Sequence, residues 1–131
     1  MAGISRRKVI RFAASASLFA GGQSIAAAAA VNEAGFRKIG GIEQWVAFQG
    51  QDLRNPAILY LHGGPGEALS PFLAQFVPWE HDFTVAYWDQ RGAGKTYSRN
   101  GTSTPDMTLD RLIDDTIEIA ELVCDRMSRR R

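Results

Sequence analysis

The sequence predicts an α/β fold made of a β-hairpin, a βαβ unit and a following helix. Three observations predict it. Two apolar runs, Ala57–Leu61 and Phe83–Trp88, each stop at a glycine-bearing turn, His62-Gly63-Gly64-Pro65-Gly66 and Asp89-Gln90-Arg91-Gly92-Ala93-Gly94. Between the runs lies a segment with helical spacing. Beyond them, residues 109–127 place apolar side chains at i, i+3 and i+4, the mark of an amphipathic helix.

The hairpin comes first. Ordered structure is expected to begin near Ala34, with Phe36–Ile39 as a short strand and Gly40-Gly41 as a turn of permissive φ. Glu43–Phe48 returns as the second strand, giving an antiparallel hairpin at the edge of a sheet. Gln49–Pro56, with Gly50, Asp52, Asn55 and Pro56, reads as loop.

Ala57–Leu61 is five apolar residues in a row, the pattern of a strand covered on both faces. After the glycine turn, Ser70-Pro71 fits a helix start, serine as cap and proline at the first helical position. Phe72, Leu73, Phe76 and Val77 share one face, and Pro78 is expected to stop the helix. Phe83–Trp88 then pairs in parallel with the earlier run through a right-handed crossover. Arg99–Asp106 is rich in Gly, Ser, Thr and Pro and reads as loop.

In the last helix Thr108 is the expected cap, with Asp110 in the first turn. Leu109, Leu112, Ile113, Thr116, Ile117, Ala120, Val123, Cys124 and Met127 form the expected buried face. Asp114, Asp115, Glu118, Glu121 and Asp125 form a solvated one rather than a metal site. Cys124, the one cysteine, then acts as a small buried apolar residue.

With 131 residues, 45% of them apolar and 22% charged, the chain has ordinary globular composition for one domain or part of one. Its net charge of +1 is uneven: four of the 15 basic residues (Arg6, Arg7, Lys8, Arg11) and no acidic residue lie in 1–30, which leaves 11 basic against 14 acidic residues. No basic field for nucleic acid remains. Zinc-type spacing is lacking too, and the pattern calls for no metal or cofactor.

Residues 1–30 read as a signal peptide. Ser5-Arg6-Arg7-Lys8-Val9-Ile10-Arg11 resembles the twin-arginine export motif, with Val9 where that pattern prefers phenylalanine. A weakly apolar run from Phe12 to Ala30 follows, with small residues such as Ala26-Ala27-Ala28 suited to cleavage. The resemblance implies the twin-arginine machinery as a partner and a periplasmic or extracellular location. Residues 31–131 are the expected mature domain.

Two stretches carry candidate chemistry. Asp89 to Thr96 ends in Gly94-Lys95-Thr96, like a phosphate-binding loop after a strand. That pattern needs glycine where Asp89 stands, and a helix directly after the loop. Tyr97–Pro105 reads instead as loop, so a nucleotide-binding module is the weaker alternative. A non-catalytic exported domain is another.

Taken together, the two turns resemble the proline iminopeptidase branch of the α/β-hydrolases. The likeness covers about residues 36–131. It implies that His62-Gly63-Gly64-Pro65-Gly66 follows the third strand and helps form the oxyanion hole, with the Gly64 N–H as donor. It also implies a cis Gly64–Pro65 bond, and that Asp89-Gln90-Arg91-Gly92 lies beside the site and braces the glycine turn. Asp89 and Arg91 are then structural, pairing with each other or bonding loop backbone. His62 is a loop-orienting residue, because the triad histidine of this fold comes late in the chain.

The resemblance implies a serine peptidase or esterase acting on a small peptide or ester. Its nucleophile elbow, Gly-x-Ser-x-Gly, does not occur. The nearest match, Gly22-Gln23-Ser24-Ile25-Ala26, lies in the leader. The expectation is therefore the N-terminal portion of a hydrolase, cut before the elbow and inactive as it stands, with no catalytic residue to assign. In that fold the third strand lies between the fourth and fifth, so Ala57–Leu61 becomes an exposed apolar edge.

Overall fold

The computed structural model describes residues 29–63 and 66–129. The expected signal peptide, twin-arginine motif and cleavage region fall almost wholly outside them, as do Gly64 and Pro65 with the expected cis bond. The described chain forms one four-stranded sheet in the order β1-β2-β4-β3. Its strands are β1 (Val31–Ile39), β2 (Ile42–Gly50), β3 (Ala57–Tyr60) and β4 (Thr84–Asp89). A 3-10 helix (Leu73–His81) links β3 to β4, and α1 (Gly94–Asn100) and α2 (Leu109–Ser128) follow.

β1 and β2 pair antiparallel over nine residues, from Val31 opposite Gly50 to Ile39 opposite Ile42. Gly40 and Gly41 turn between them with φ of 55° and 81°, the left-handed pair that suits strand twist. β1 starts at Val31, three residues before the expected onset at Ala34. Its exposed Asn32 and Glu33 hide the strand from a hydropathy reading, because an edge strand keeps one side in water.

β2 pairs antiparallel with β4, and β4 pairs parallel with β3. β4 is the central strand and all six of its residues are buried. Alternation sends Val85 and Tyr87 to one face, Ala86 and Trp88 to the other. The first pair packs with Trp45, Ala47 and Leu69. The second packs with Ile39, Val46, Phe48, Ile119 and Val123 beneath α2.

β3 corrects one expectation and meets another. It is not covered on both faces: Ala57 is exposed, Ile58–Tyr60 are half-buried and Leu61 is 49% exposed. Among the described residues it is the outermost strand of the sheet, bonded to β4 alone, so its apolar side chains are only partly covered.

The crossover also differs from its expectation. Ser70-Pro71 forms a turn, not a helix start, since the Leu69 and Ser70 amides are drawn to the Asp89 carboxylate. The helical segment is 3-10, lacks a side-chain cap and carries Pro78 inside it. Aromatic packing holds it: Phe76 stands edge-on to Tyr60 at 4.9 Å and to Trp79 at 5.6 Å. Tyr97, expected in loop, lies in α1.

α2 begins where predicted, with the Arg111 N–H donating to the Thr108 hydroxyl. Its rotation about its own axis differs. Asp115, Ile119 and Val123 are the buried residues. Leu109, Ile113, Ile117 and Cys124 are exposed, although they belonged to the expected core face.

The cause is a buried ion pair. Arg91 Nε lies 2.9 Å from Asp115 Oδ2, and both side chains are fully buried. Arg91 also donates to the Pro105 carbonyl (2.8 Å) and the Gly40 carbonyl (2.7 Å). Asp115 accepts from Gln44 Nε2 (2.7 Å) and Arg111 Nε (2.8 Å). Gln44 in turn accepts from Trp88 Nε1 at 2.9 Å. Every charge in the network has partners, as a buried pair requires. A Cβ at position 40 would collide with Asp115 and Arg91, so the hairpin glycine also makes room for the pair.

Removing one buried partner strands the other, at a cost of about 3–5 kcal/mol. Asp115→Ala should therefore lower the urea midpoint sharply, while Ile117→Ser should change stability by no more than about 0.5 kcal/mol. Equal effects in urea denaturation, or the reverse order, would show that α2 is turned the other way.

Candidate functional site

The two glycine-bearing turns meet at the C-terminal ends of the parallel strands β3 and β4, where open α/β sheets place their ligand sites. His62 follows β3 and is buried. Its Nε2 accepts the Gln90 backbone N–H at 3.0 Å. The Gln90 side chain returns a bond, donating from Nε2 to the His62 carbonyl at 2.8 Å. With Nε2 acting as acceptor, the ring proton sits on Nδ1, 3.4 Å from the Gly63 carbonyl. An imidazole committed in this way has no free nitrogen to serve as a general base. Gly63 and Gly66, on either side of the undescribed pair Gly64-Pro65, are both exposed, and Gly66 has φ of 86°.

Asp89 ends β4 fully buried. Oδ1 accepts the Leu69 and Ser70 amides, each at 2.9 Å. Oδ2 accepts the Lys95 amide at 2.9 Å, in the first turn of α1. One carboxylate thus ties the segment after the glycine turn to the helix after β4, and its charge suits that helix terminus. Gly94 lets it approach, since a Cβ there would strike Oδ2 and Ala68. Gly92, with φ of 77°, turns the chain between Arg91 and α1.

Asp89 and Arg91 do not pair with each other. They point to opposite sides, Asp89 to loop backbone and Arg91 to Asp115. Sequence reasoning missed the partners Gln44, Thr96 and Asp115. Thr96 is buried, donates to the Asp89 carbonyl at 2.5 Å and accepts the Trp45 amide at 2.8 Å. It bridges β2 and β4 where their pairing ends, at Trp45 opposite Asp89. The i, i+4 spacing from Arg111 was the available signal for Asp115, masked by the acidic residues around it.

The same geometry bears on Gly94-Lys95-Thr96. The motif does open directly into a helix, contrary to the loop expected there. Yet Asp89 already takes the Lys95 amide, Thr96 spends its hydroxyl on backbone, and Lys95 Nζ lies 4.4 Å from the Trp45 ring centroid. The groups that would cradle a phosphate are engaged within the fold. Among the described residues no group of three or more His, Cys, Asp and Glu side chains could hold a metal, and no helix is long and apolar enough to cross a membrane.

No family model matches the chain. A probable aminopeptidase of Bacillus subtilis (strain 168), YbaC, is 37% identical over 92 residues, which cover 70% of this chain and 29% of that protein. The solved structure of a proline iminopeptidase-related protein from Thermus thermophilus matches with a TM-score of 0.57 and 33% identity, over 70% of this chain and 32% of the other. An epoxide hydrolase of Vigna radiata matches at TM-score 0.50 and 22% identity, over 70% and 28%. The chain therefore spans about a third of the length of the proteins it resembles. Its architecture is part of an α/β-hydrolase fold.

Asp89→Asn tests the carboxylate. In either amide orientation one oxygen position becomes a donor and faces a backbone N–H. A hydrogen bond to a charged group contributes about 1.5–3 kcal/mol, so the variant should lose on that order of stability. Amide hydrogen exchange should speed up at Lys95 or at Leu69 and Ser70. Unchanged protection at all three amides would remove Asp89 from this role.

Proposed function

We propose that these residues supply the oxyanion-side scaffold of a serine hydrolase acting on small peptides or esters, close to the proline iminopeptidases. The observation that carries the reading is the reciprocal bonding of His62 and Gln90. It fixes His62, where the glycine turn begins, to the loop after β4, as an oxyanion-hole strand end requires if its N–H groups are to be preorganised. The aminopeptidase and iminopeptidase-related relatives support the peptide or ester class. Gly64 is the candidate donor.

By themselves the 131 residues should be inactive. An oxyanion donor acts only on an intermediate that a nucleophile has made. The described serines show no activating base. Ser98 donates its hydroxyl to the Gly94 carbonyl (3.1 Å) and Ser128 to the Asp125 carbonyl (3.0 Å). His62 is engaged as above, and His81 pairs with its neighbour Asp82 in solvent. A fluorophosphonate probe should leave the purified chain unlabelled. Stoichiometric labelling of any serine would overturn this reading.

Export belongs to the same proposal and rests on Ser5–Arg11 and the Ala-rich run behind it. Replacing Arg6 and Arg7 together by lysine should retain the protein in the cytoplasm of a bacterial host, followed by fractionation and immunoblot. Export of the double variant at the wild-type level would end the twin-arginine assignment.

A further inference from the structure

We propose that His62 is a proton-sensitive latch: charging its ring cuts one of the two bonds that tie it to Gln90 and loosens the start of the glycine turn. This inference rests on hydrogen-bond chemistry and does not depend on the hydrolase reading. The Gln90 backbone N–H can only donate, and it lies 3.0 Å from His62 Nε2. Nε2 must therefore present a lone pair, so the ring that makes this bond is neutral. A proton taken up from solvent goes to that same nitrogen. Two N–H groups then face each other, and the bond is lost. His62 is buried, where an imidazolium without an acceptor is unfavourable.

The second bond behaves differently. Gln90 Nε2 donates to the His62 carbonyl at 2.8 Å, and neither group titrates. Acid therefore leaves one tie where there were two, and the charged ring swings out about its side-chain torsions. The turn beyond it has room to follow. Gly63 and Gly66 are exposed, and nothing lies within 4 Å of where a Gly66 Cβ would stand.

The charged groups on the elements around His62 allow the switch. β3 carries none. At the end of β4, Asp89 is taken up by the Leu69, Ser70 and Lys95 amides, and in the loop beyond it Arg91 is taken up by Asp115. On α1, Lys95 Nζ stands over the Trp45 ring. After the glycine turn, Glu67 is exposed, with Oε2 3.8 Å from the place a Gly63 Cβ would take. A carboxylate there favours the imidazolium and offers the released ring an acceptor. The direction follows: both ties hold with His62 neutral, and the imidazole tie is lost as pH falls.

The test follows the Gln90 backbone amide of the 131-residue chain by NMR hydrogen exchange from about pH 8 to about pH 5, the range of histidine chemistry. Each rate is divided by the intrinsic rate at that pH, and the His62 ring nitrogens are read in the same samples. Gln90 protection should fall about tenfold, the order of one hydrogen bond. The fall should track the titration of His62 and not that of the exposed His81. The Leu69, Ser70 and Lys95 amides, held by Asp89, should keep their protection. His62→Gln places an acceptor near the Nε2 position but takes up no proton, so its Gln90 protection should not change with pH. Constant Gln90 protection in the wild type would overturn the proposal, as would a fall that tracks another group. Equal loss at the Asp89-bound amides would also overturn it, since that is general acid unfolding, and so would the same fall in His62→Gln. If His62→Gln does not fold, the match between ring titration and Gln90 exchange in the wild type decides the question.

Discussion

The ion pair between Arg91 and Asp115 governs much of this structure. Two opposite charges taken fully out of water must find each other and satisfy every remaining donor. Arg91 is delivered by the turn after β4 and Asp115 by α2; the other partners of Arg91 come from the hairpin tip and the loop before α2, and those of Asp115 from β2 and α2. Satisfying that pair turns α2 about its axis. Asp115 and Ile119 face the sheet, and Ile113 and Ile117 face away. An apolar side chain left in water costs far less than a stranded buried charge, so electrostatics outranks hydropathy in choosing the face.

A second buried charge, Asp89, does the corresponding work at the candidate site. It binds three backbone amides and no side chain. The His62–Gln90 exchange adds two bonds between the turns that follow β3 and β4. All of these groups hold backbone in place, and none is free to transfer a proton. The site is in this respect a mount, and whatever reaction it serves depends on groups that it positions.

Much of the fold was legible because it rests on local signals. Glycine pairs, the two apolar runs and the Thr108 cap marked the hairpin, β3, β4 and the start of α2. Failures came where distant residues decide. β1 was short-read at Asn32 and Glu33, whose polarity belongs to an edge strand. Ser70-Pro71 carried a good capping signal, but the Leu69 and Ser70 amides bind Asp89, nineteen or twenty residues away. In α2 two apolar stripes compete, and periodicity alone cannot say which one a buried arginine will displace. At the site, the motifs brought His62, Gln90 and Asp89 into view, whereas Gln44 and Thr96 carry no motif and matter only through what they touch.

The nine-residue hairpin has a consequence for the order of folding. Its register is set by two adjacent glycines, so it closes a minimal loop and needs no partner, an event of about 1–10 μs. β4 is different: Trp45 faces Asp89 across more than forty residues of chain, and the entropy of closing that loop comes before any contact rewards it. The preformed hairpin lowers this barrier by presenting β2 as a finished template. Desolvation of Arg91 and Asp89 then belongs to the last step, when β4 docks and carries both charges inside. A chain interrupted before that step would hold a hairpin and a nascent helix, with Asp89, Arg91 and Asp115 still in water.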